Sequence, residues 1–146
     1  PLELVLPDIG GMTETKSSIF LAELNTLHTM LSWVCDQISP LDFNQMQIRK
    51  IEIALEEALV NIIQYAYQDH PGTIEITCKA LSKDGIEIIL KDYGIPFNPL
   101  KNGGKVNRKA TLEERKEGGL GISFMHELMD KLEYKREGDA NILILK

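Results

Sequence analysis

The segment from residue 53 to residue 67 reads IALEEALVNIIQYAY and is the most informative part of the sequence. It belongs to the clearest helical pattern in the chain, because apolar residues recur there every three or four positions. The stripe consists of Ile48, Ile51, Leu55, Ala58 and Ile62. Asp42 and Gln45 form a plausible capping pair where the helix begins, and the turn-forming residues 69–72 end it. We therefore predict a long amphipathic helix that runs toward Ala66.

Two polar residues of this helix, Glu57 and Asn61, lie four positions apart, so both side chains project from one face beside the apolar stripe. A carboxylate and an amide oxygen are hard ligands of the kind that Mg²⁺ uses together with substrate phosphates. Such pairs are also common on solvated helix faces. The pair alone therefore does not distinguish a metal site from an ordinary surface.

The segments around this helix predict an α+β fold. Residues 2–6 alternate weakly and predict an edge strand, and apolar residues within 17–38 recur at helical spacing and predict a first helix. Alternating apolar residues on both sides of a turn predict one β-hairpin over 73–92. A turn at 137–139 between two short segments predicts another over 131–146. This order predicts a two-layer α/β sandwich, with helices on one face of a mixed, mostly antiparallel sheet.

A second motif follows the first hairpin, where residues 92–96 read DYGIP. Asp92 at the end of a buried strand can accept a hydrogen bond from an exocyclic amino group such as that of adenine. Gly94 lets the backbone approach a flat ligand closely. Asp, Gly and Pro also form ordinary turns, so this motif alone predicts only a turn.

A third motif follows a long segment, from 93 to about 117, that is rich in glycine and charge and predicts a lid. Residues 117–121 read EGGLG and precede a helical pattern. Backbone N–H groups and the positive end of a helix dipole suit phosphate binding there, although a flexible hinge has the same composition. No Gly-Lys-Ser/Thr sequence follows, so the motif is not a Walker P-loop.

Taken together and in this order, the three motifs resemble those of the GHKL (Bergerat-fold) ATPases. Residues 53–67 and 117–130 (EGGLGISFMHELMD) look more specifically like the anti-sigma-factor serine/threonine kinases of bacterial partner-switching systems. The resemblance covers the whole chain in length and element order, and it is specific in these two segments. It implies a two-layer sandwich of Bergerat (histidine-kinase-like ATPase) type and a single ATP-binding kinase domain over 1–146, with its lid at about 93–117.

The resemblance also implies a role for each matched residue. Glu57 is expected to act as the general base and Asn61 to hold Mg²⁺. Asp92 is expected to bond the adenine amino group, with Gly94 near the ring. The candidates for contacts to the phosphates of ATP or ADP are Gly118, Gly119, Gly121, Ser123 and, from the lid, Arg115.

Bulk properties limit the partners. A net charge of −6 argues against nucleic acid or an anionic membrane as the main partner, and no apolar run reaches the roughly 18 residues of a membrane span. Cys35 and Cys78 lie far apart in the sequence and form no Cys-x-x-Cys motif, so we expect both to be reduced thiols. We therefore expect a cytoplasmic protein. The resemblance implies a homodimer whose partners are a STAS-type anti-anti-sigma protein, as substrate, and a sigma factor.

Three functions remain open on the sequence. The leading hypothesis is a kinase that also sequesters a sigma factor. The alternatives are a nucleotide-gated partner-binding module without kinase activity and a free-standing ATPase. We expect the three histidines to be ordinary surface or packing residues rather than phosphate acceptors; they are His28, His70 and His126.

Overall fold

The computed structural model describes residues 15–68, 70–82, 85–100 and 128–146. Within these ranges, two α-helices and a five-stranded sheet share one hydrophobic core. The helices are α1 (Leu27–Ile38) and α2 (Gln45–Asn61). The strands are β1 (Thr15–Leu21), β2 (Thr73–Ser82), β3 (Gly85–Asp92), β4 (Leu132–Glu137) and β5 (Ala140–Leu145). The predicted two-layer α+β sandwich is confirmed.

The sheet has the strand order β1-β2-β3-β5-β4, and each of these neighbouring pairs is antiparallel. Both predicted hairpins are present, as β2–β3 and β4–β5. The second hairpin joins the sheet through its last strand, which pairs with β3. This pairing places Asn141 directly opposite Asp92.

The helix predicted over 17–38 is wrong in its first part. Residues from Thr15 to Leu21 form β1, which pairs with β2 along its whole length, and α1 begins only at Leu27. Phe20 points toward α1 and packs edge-on against Trp33, whereas its neighbour Ile19 is exposed on the other face. This two-residue alternation is that of a strand, and sheet pairing overrides the accidental helical spacing of the apolar residues.

The predicted cap of α2 lies two residues too early. The structure caps the helix with Asn44, whose side chain accepts a hydrogen bond from the Gln47 backbone N–H (2.8 Å). The Gln47 side chain in turn accepts one from the Asn44 N–H (2.9 Å). This reciprocal capping box satisfies two donors that a helix start otherwise leaves unpaired.

The helix α2 packs its apolar stripe into the core and continues without a break into a π-helical segment, Ile62–Ala66. There the Tyr67 N–H donates to the Ile62 carbonyl, five residues earlier. Segments of this kind inside helices are frequent at functional sites. Here it carries the chain from Asn61 to the contact with the end of β3 described below.

Several predicted features lie outside the described residues. They are the edge strand over 2–6, most of the lid, the glycine motif and His126. Of the lid, residues 93–100 are described, and the first six of them have no regular secondary structure. Across the described part of the chain, no helix combines the length and apolar character that crossing a membrane requires.

Candidate active site

The carboxylate of Asp92 lies at the end of β3 and is almost fully buried, at 2% exposure. Its Oδ1 accepts hydrogen bonds from the Gly94 N–H and from Asn141 Nδ2, both at 2.9 Å. Burial raises the pKa of Asp92 above its usual value, and the two hydrogen bonds and the nearby Arg136 charge oppose that rise. The site therefore holds a desolvated carboxylate with one oxygen fixed by two donors.

Asn141 is the centre of a buried hydrogen-bond network at the start of β5, where it is 3% exposed. Besides Asp92, its Nδ2 donates to the Ile95 carbonyl at 2.8 Å. Its Oδ1 accepts from the Phe97 N–H at 3.2 Å and from the Tyr134 hydroxyl. Asn141 thus connects the second hairpin both to Asp92 and to the residues that begin the lid.

Gly94 lies against the end of the π segment. Its neighbour Ile95 donates its N–H to the Ala66 carbonyl at 2.9 Å, and Arg136 Nη1 donates to the Gly94 carbonyl at 2.8 Å. A Cβ on Gly94 would lie 2.3 Å from the Ala66 oxygen, which is far inside a normal contact. The close approach of two backbones therefore requires glycine at this position.

Tyr67 connects the same region to the start of β2. Its hydroxyl donates to the Thr73 carbonyl and accepts from the Tyr93 N–H at 2.8 Å. Its ring packs against Gly72, where a Cβ would lie 2.2 Å from a ring carbon. The buried ring thereby fixes the end of β3 relative to the start of β2 and the end of the helix.

Glu57 and Asn61 lie on α2, on the helix that leads to this cluster. Glu57 is half-buried, and burial followed by the charge of the neighbouring Glu56 raises its pKa. Asn61 is 3% exposed, and its Nδ2 has no hydrogen-bond partner within the described residues. A buried amide without a partner costs about 1–3 kcal/mol, so this group is one that a bound ligand could satisfy.

Partly exposed aromatic and apolar side chains lie in the π segment and in residues 93–97. Tyr65 stacks on Phe97 with a ring separation of 5.3 Å. Tyr93 and Ile95 are about half exposed, and the Lys91 ammonium lies 5.6 Å from the Tyr93 ring centre. Through this contact with Phe97, Tyr65 lies beside the first residues of the predicted lid.

The structure brings part of the predicted site together. Asp92 and Gly94 share one hydrogen-bonded loop, and the helix bearing Glu57 and Asn61 contacts that loop through Ala66. The candidates for phosphate contacts lie outside the described residues. They are Gly118, Gly119, Gly121, Ser123 and Arg115.

Two further residues of the site, Asn141 and Arg136, were not predicted from the sequence. Asn141 occupies a helix-facing register position of β5, where Leu143 and Leu145 are the next two on that face. A polar residue at a core position is the signal that could have identified it. Arg136 gives no comparable signal, because charged residues are ordinary at the end of an edge strand.

The chemistry of the described side chains is consistent with a metal held mainly by substrate. Among the described residues, no cluster of three or more His, Cys, Asp or Glu side chains could hold a metal ion. Mg²⁺ commonly takes one or two protein oxygens and completes its shell with water and phosphate. The buried Asn61 amide suits that arrangement, because its carbonyl oxygen is a hard ligand and rotation of its terminal torsion exchanges oxygen and nitrogen.

Comparison with known proteins gives the family. The histidine kinase-like ATPase domain family matches residues 20–146. Proteins named serine-protein kinase RsbW are 32% identical in Halalkalibacterium halodurans and in Bacillus cereus, over 109 residues and 73% of this chain. That of Bacillus licheniformis is 28% identical over 112 residues and 74% of this chain. The matched part covers 66%, 68% and 70% of these relatives, respectively, about two thirds of their length.

The family match includes the two segments on which the resemblance was based, and the expected enzyme class is the one for which the relatives are named. The family prediction is confirmed. The chain belongs to the histidine kinase-like ATPase family and, within it, is similar to the serine-protein kinases RsbW.

Proposed function

We propose that this chain is an ATP-dependent serine/threonine protein kinase and anti-sigma factor. Its substrate is a STAS-type anti-anti-sigma protein, and it also sequesters a sigma factor. We assign the whole of 1–146 to one ATP-binding domain of a cytoplasmic homodimer. The observation that carries the proposal is the buried Asp92 carboxylate, fixed at the end of β3 next to the helix that bears Glu57 and Asn61.

Base recognition is assigned to Asp92. Since Oδ1 already accepts two hydrogen bonds, Oδ2 is the oxygen we assign to the amino group of adenine. A hydrogen bond to a buried charged group contributes more than a neutral one, about 1.5–3 kcal/mol. Gly94 keeps the loop close to the helix end, so the carboxylate and the helix stay in a fixed relation.

Metal and phosphate binding are assigned to Asn61 and to the glycine motif. Mg²⁺ bound with ATP would neutralise charge on the phosphates, and the Asn61 amide is the described group that fits it. The contacts to phosphate are assigned to Gly118, Gly119 and Gly121, with Ser123 and Arg115 as further candidates. These follow the sequence motif alone.

Proton transfer is assigned to Glu57. The attacking Ser or Thr hydroxyl of the substrate must lose its proton, and a carboxylate whose pKa is raised by burial accepts it more readily than an exposed one. Glu56 is the adjacent acid but is exposed and lies about 100° around the helix. Glu56 is therefore a matched control for substitutions of Glu57.

The test measures transfer of phosphate from Mg-ATP to a STAS-type anti-anti-sigma protein by wild type, Glu57→Gln and Glu56→Gln. We expect Glu57→Gln to slow transfer by about 100-fold or more. ATP affinity should be nearly unchanged in both variants. Glu56→Gln should transfer phosphate at close to the wild-type rate, because burial, the larger cause of the raised pKa of Glu57, is unchanged in that variant. Equal labelling by wild type and Glu57→Gln would refute the catalytic assignment. A nucleotide-dependent complex that yields no phosphoprotein would favour the alternative, a partner-binding module without kinase activity.

A further inference from the structure

We propose that Asn141 is a positioning residue for base recognition: it orients the Asp92 carboxylate so that its second oxygen faces the amino group of the base. This inference rests on the proposed function and extends it to a residue of the second hairpin. Asn141 acts through Asp92 rather than by touching the nucleotide.

The Asn141 side chain uses its whole hydrogen-bonding capacity within the protein. An amide has two N–H donors and an oxygen with two acceptor positions. Nδ2 donates to Asp92 Oδ1 at 2.9 Å and to the Ile95 carbonyl at 2.8 Å. Oδ1 accepts from the Phe97 N–H and the Tyr134 hydroxyl. Rotation of the amide would break all four bonds, so its orientation is fixed.

The fixed amide in turn fixes the carboxylate. Asp92 Oδ1 lies between Asn141 Nδ2 and the Gly94 N–H, which approach from β5 and from the loop. A carboxylate is planar, so two donors on one oxygen also set the direction of the other. Without Asn141, the remaining donor to Oδ1 belongs to the same short loop as Asp92. It can then move together with the carboxylate.

Two other groups act on Asp92 but do not hold its direction. Arg136 contributes a favourable charge from β4, and its Nη1 is hydrogen-bonded to the Gly94 carbonyl. Burial raises the pKa of the Tyr67 hydroxyl and the nearby Asp92 charge adds to that rise, but this hydroxyl bonds Thr73 and Tyr93 rather than Asp92. Orientation of the carboxylate therefore depends on Asn141.

The test compares ATP with purine riboside triphosphate, which differs only by hydrogen in place of the 6-amino group. Calorimetry gives the affinity of wild type, Asn141→Leu and Asn141→Ser for both nucleotides. Wild type should bind ATP about tenfold or more tightly than the analogue. In Asn141→Leu, which is close in size, this ratio should fall to within about threefold through loss of ATP affinity alone.

Asn141→Ser is the second variant, and it decides the result if Asn141→Leu does not fold. A hydroxyl has one donor and cannot serve both Asp92 and Ile95, so the ratio should again fall. Tyr134→Phe is the matched control, because it removes one bond to Asn141 and leaves the bond to Asp92. It should retain the wild-type ratio.

The possible failures are distinguishable. If Asn141→Ser or Asn141→Leu weakens both nucleotides equally, so that the ratio stays at the wild-type value, Asn141 has only a structural role and the inference is wrong. If folded wild type binds neither nucleotide, or does not discriminate between them, the proposed function or its assignment of Asp92 fails first.

Discussion

Substitution of Gly94 by alanine tests whether the loop after β3 must lie against the helix end. The added Cβ would lie 2.3 Å from the Ala66 oxygen and 2.6 Å from the Ala66 carbonyl carbon. These distances are about 1 Å or more shorter than a normal contact. Both atoms belong to the backbone, so no side-chain rotation relieves the overlap, and the loop must move.

The cost follows from what that movement breaks. The Ile95 N–H loses its bond to the Ala66 carbonyl, worth about 1 kcal/mol, and residual overpacking adds about 1–3 kcal/mol. We expect Gly94→Ala to lose about 2–4 kcal/mol of unfolding free energy, which urea denaturation measures. Because the Gly94 N–H also holds Asp92, we expect ATP affinity to fall about tenfold or more.

Gly138→Ala provides the control. Gly138 has a φ of +61° in the turn between β4 and β5, and a Cβ there meets nothing within 4 Å. Alanine should cost about 1–2 kcal/mol of backbone strain and leave ATP affinity unchanged. The reasoning is refuted if Gly94→Ala matches wild type in urea midpoint and in ATP affinity, or if the two variants cannot be told apart.

Two further predictions follow from buried groups. Asn61→Leu replaces an amide whose Nδ2 lacks a described partner, so the unfolding free energy without ligand should rise by about 1–3 kcal/mol. In calorimetry, Mg²⁺ should no longer strengthen ATP binding to this variant. A large stability loss with an unchanged Mg²⁺ effect would contradict it. Burial raises the pKa of Cys78 to about 12 and, with Glu52, that of Cys35 to about 11, so both thiols should resist iodoacetamide at pH 8 until urea unfolds the chain. The unfolding free energy should also fall as pH rises above about 9, because the unfolded state releases these protons first. Equal alkylation rates in native and urea-treated protein would contradict the predicted protection of the two thiols.

Local patterns predicted much of the fold because they coincide with the tertiary structure over α2 and both hairpins. The strict alternation in β3 becomes alternating burial, and the stripe of α2 faces the core. The first strand could not be predicted in this way. Ile19 and Leu21 are exposed and Phe20 is half-buried, so the segment lacks a clear apolar face and depends on pairing with β2.

In the candidate site, too, local patterns identified some residues and tertiary pairing determined others. Asp92 was identifiable because a carboxylate ends an otherwise apolar face of a strand. Its partner Asn141 lies 49 residues later, and only the β3–β5 pairing brings the two together. Gly94 was expected to approach a ligand, and the structure adds a second reason for it, the Ala66 carbonyl. Contacts of this kind are determined by topology and have no local sequence pattern.

The π segment after Asn61 restricts the insertions and deletions that the chain can accept there. Its bonds span five residues instead of four, so it contains one residue more than an α-helical turn would need. Deletion of one residue within 62–66 would allow the segment to wind as α-helix and would turn the following carbonyl by about 100°. The Ala66 oxygen would then no longer face Ile95. Relatives that retain this contact should therefore differ by substitution here, and insertions and deletions should be confined to the turn beyond Tyr67.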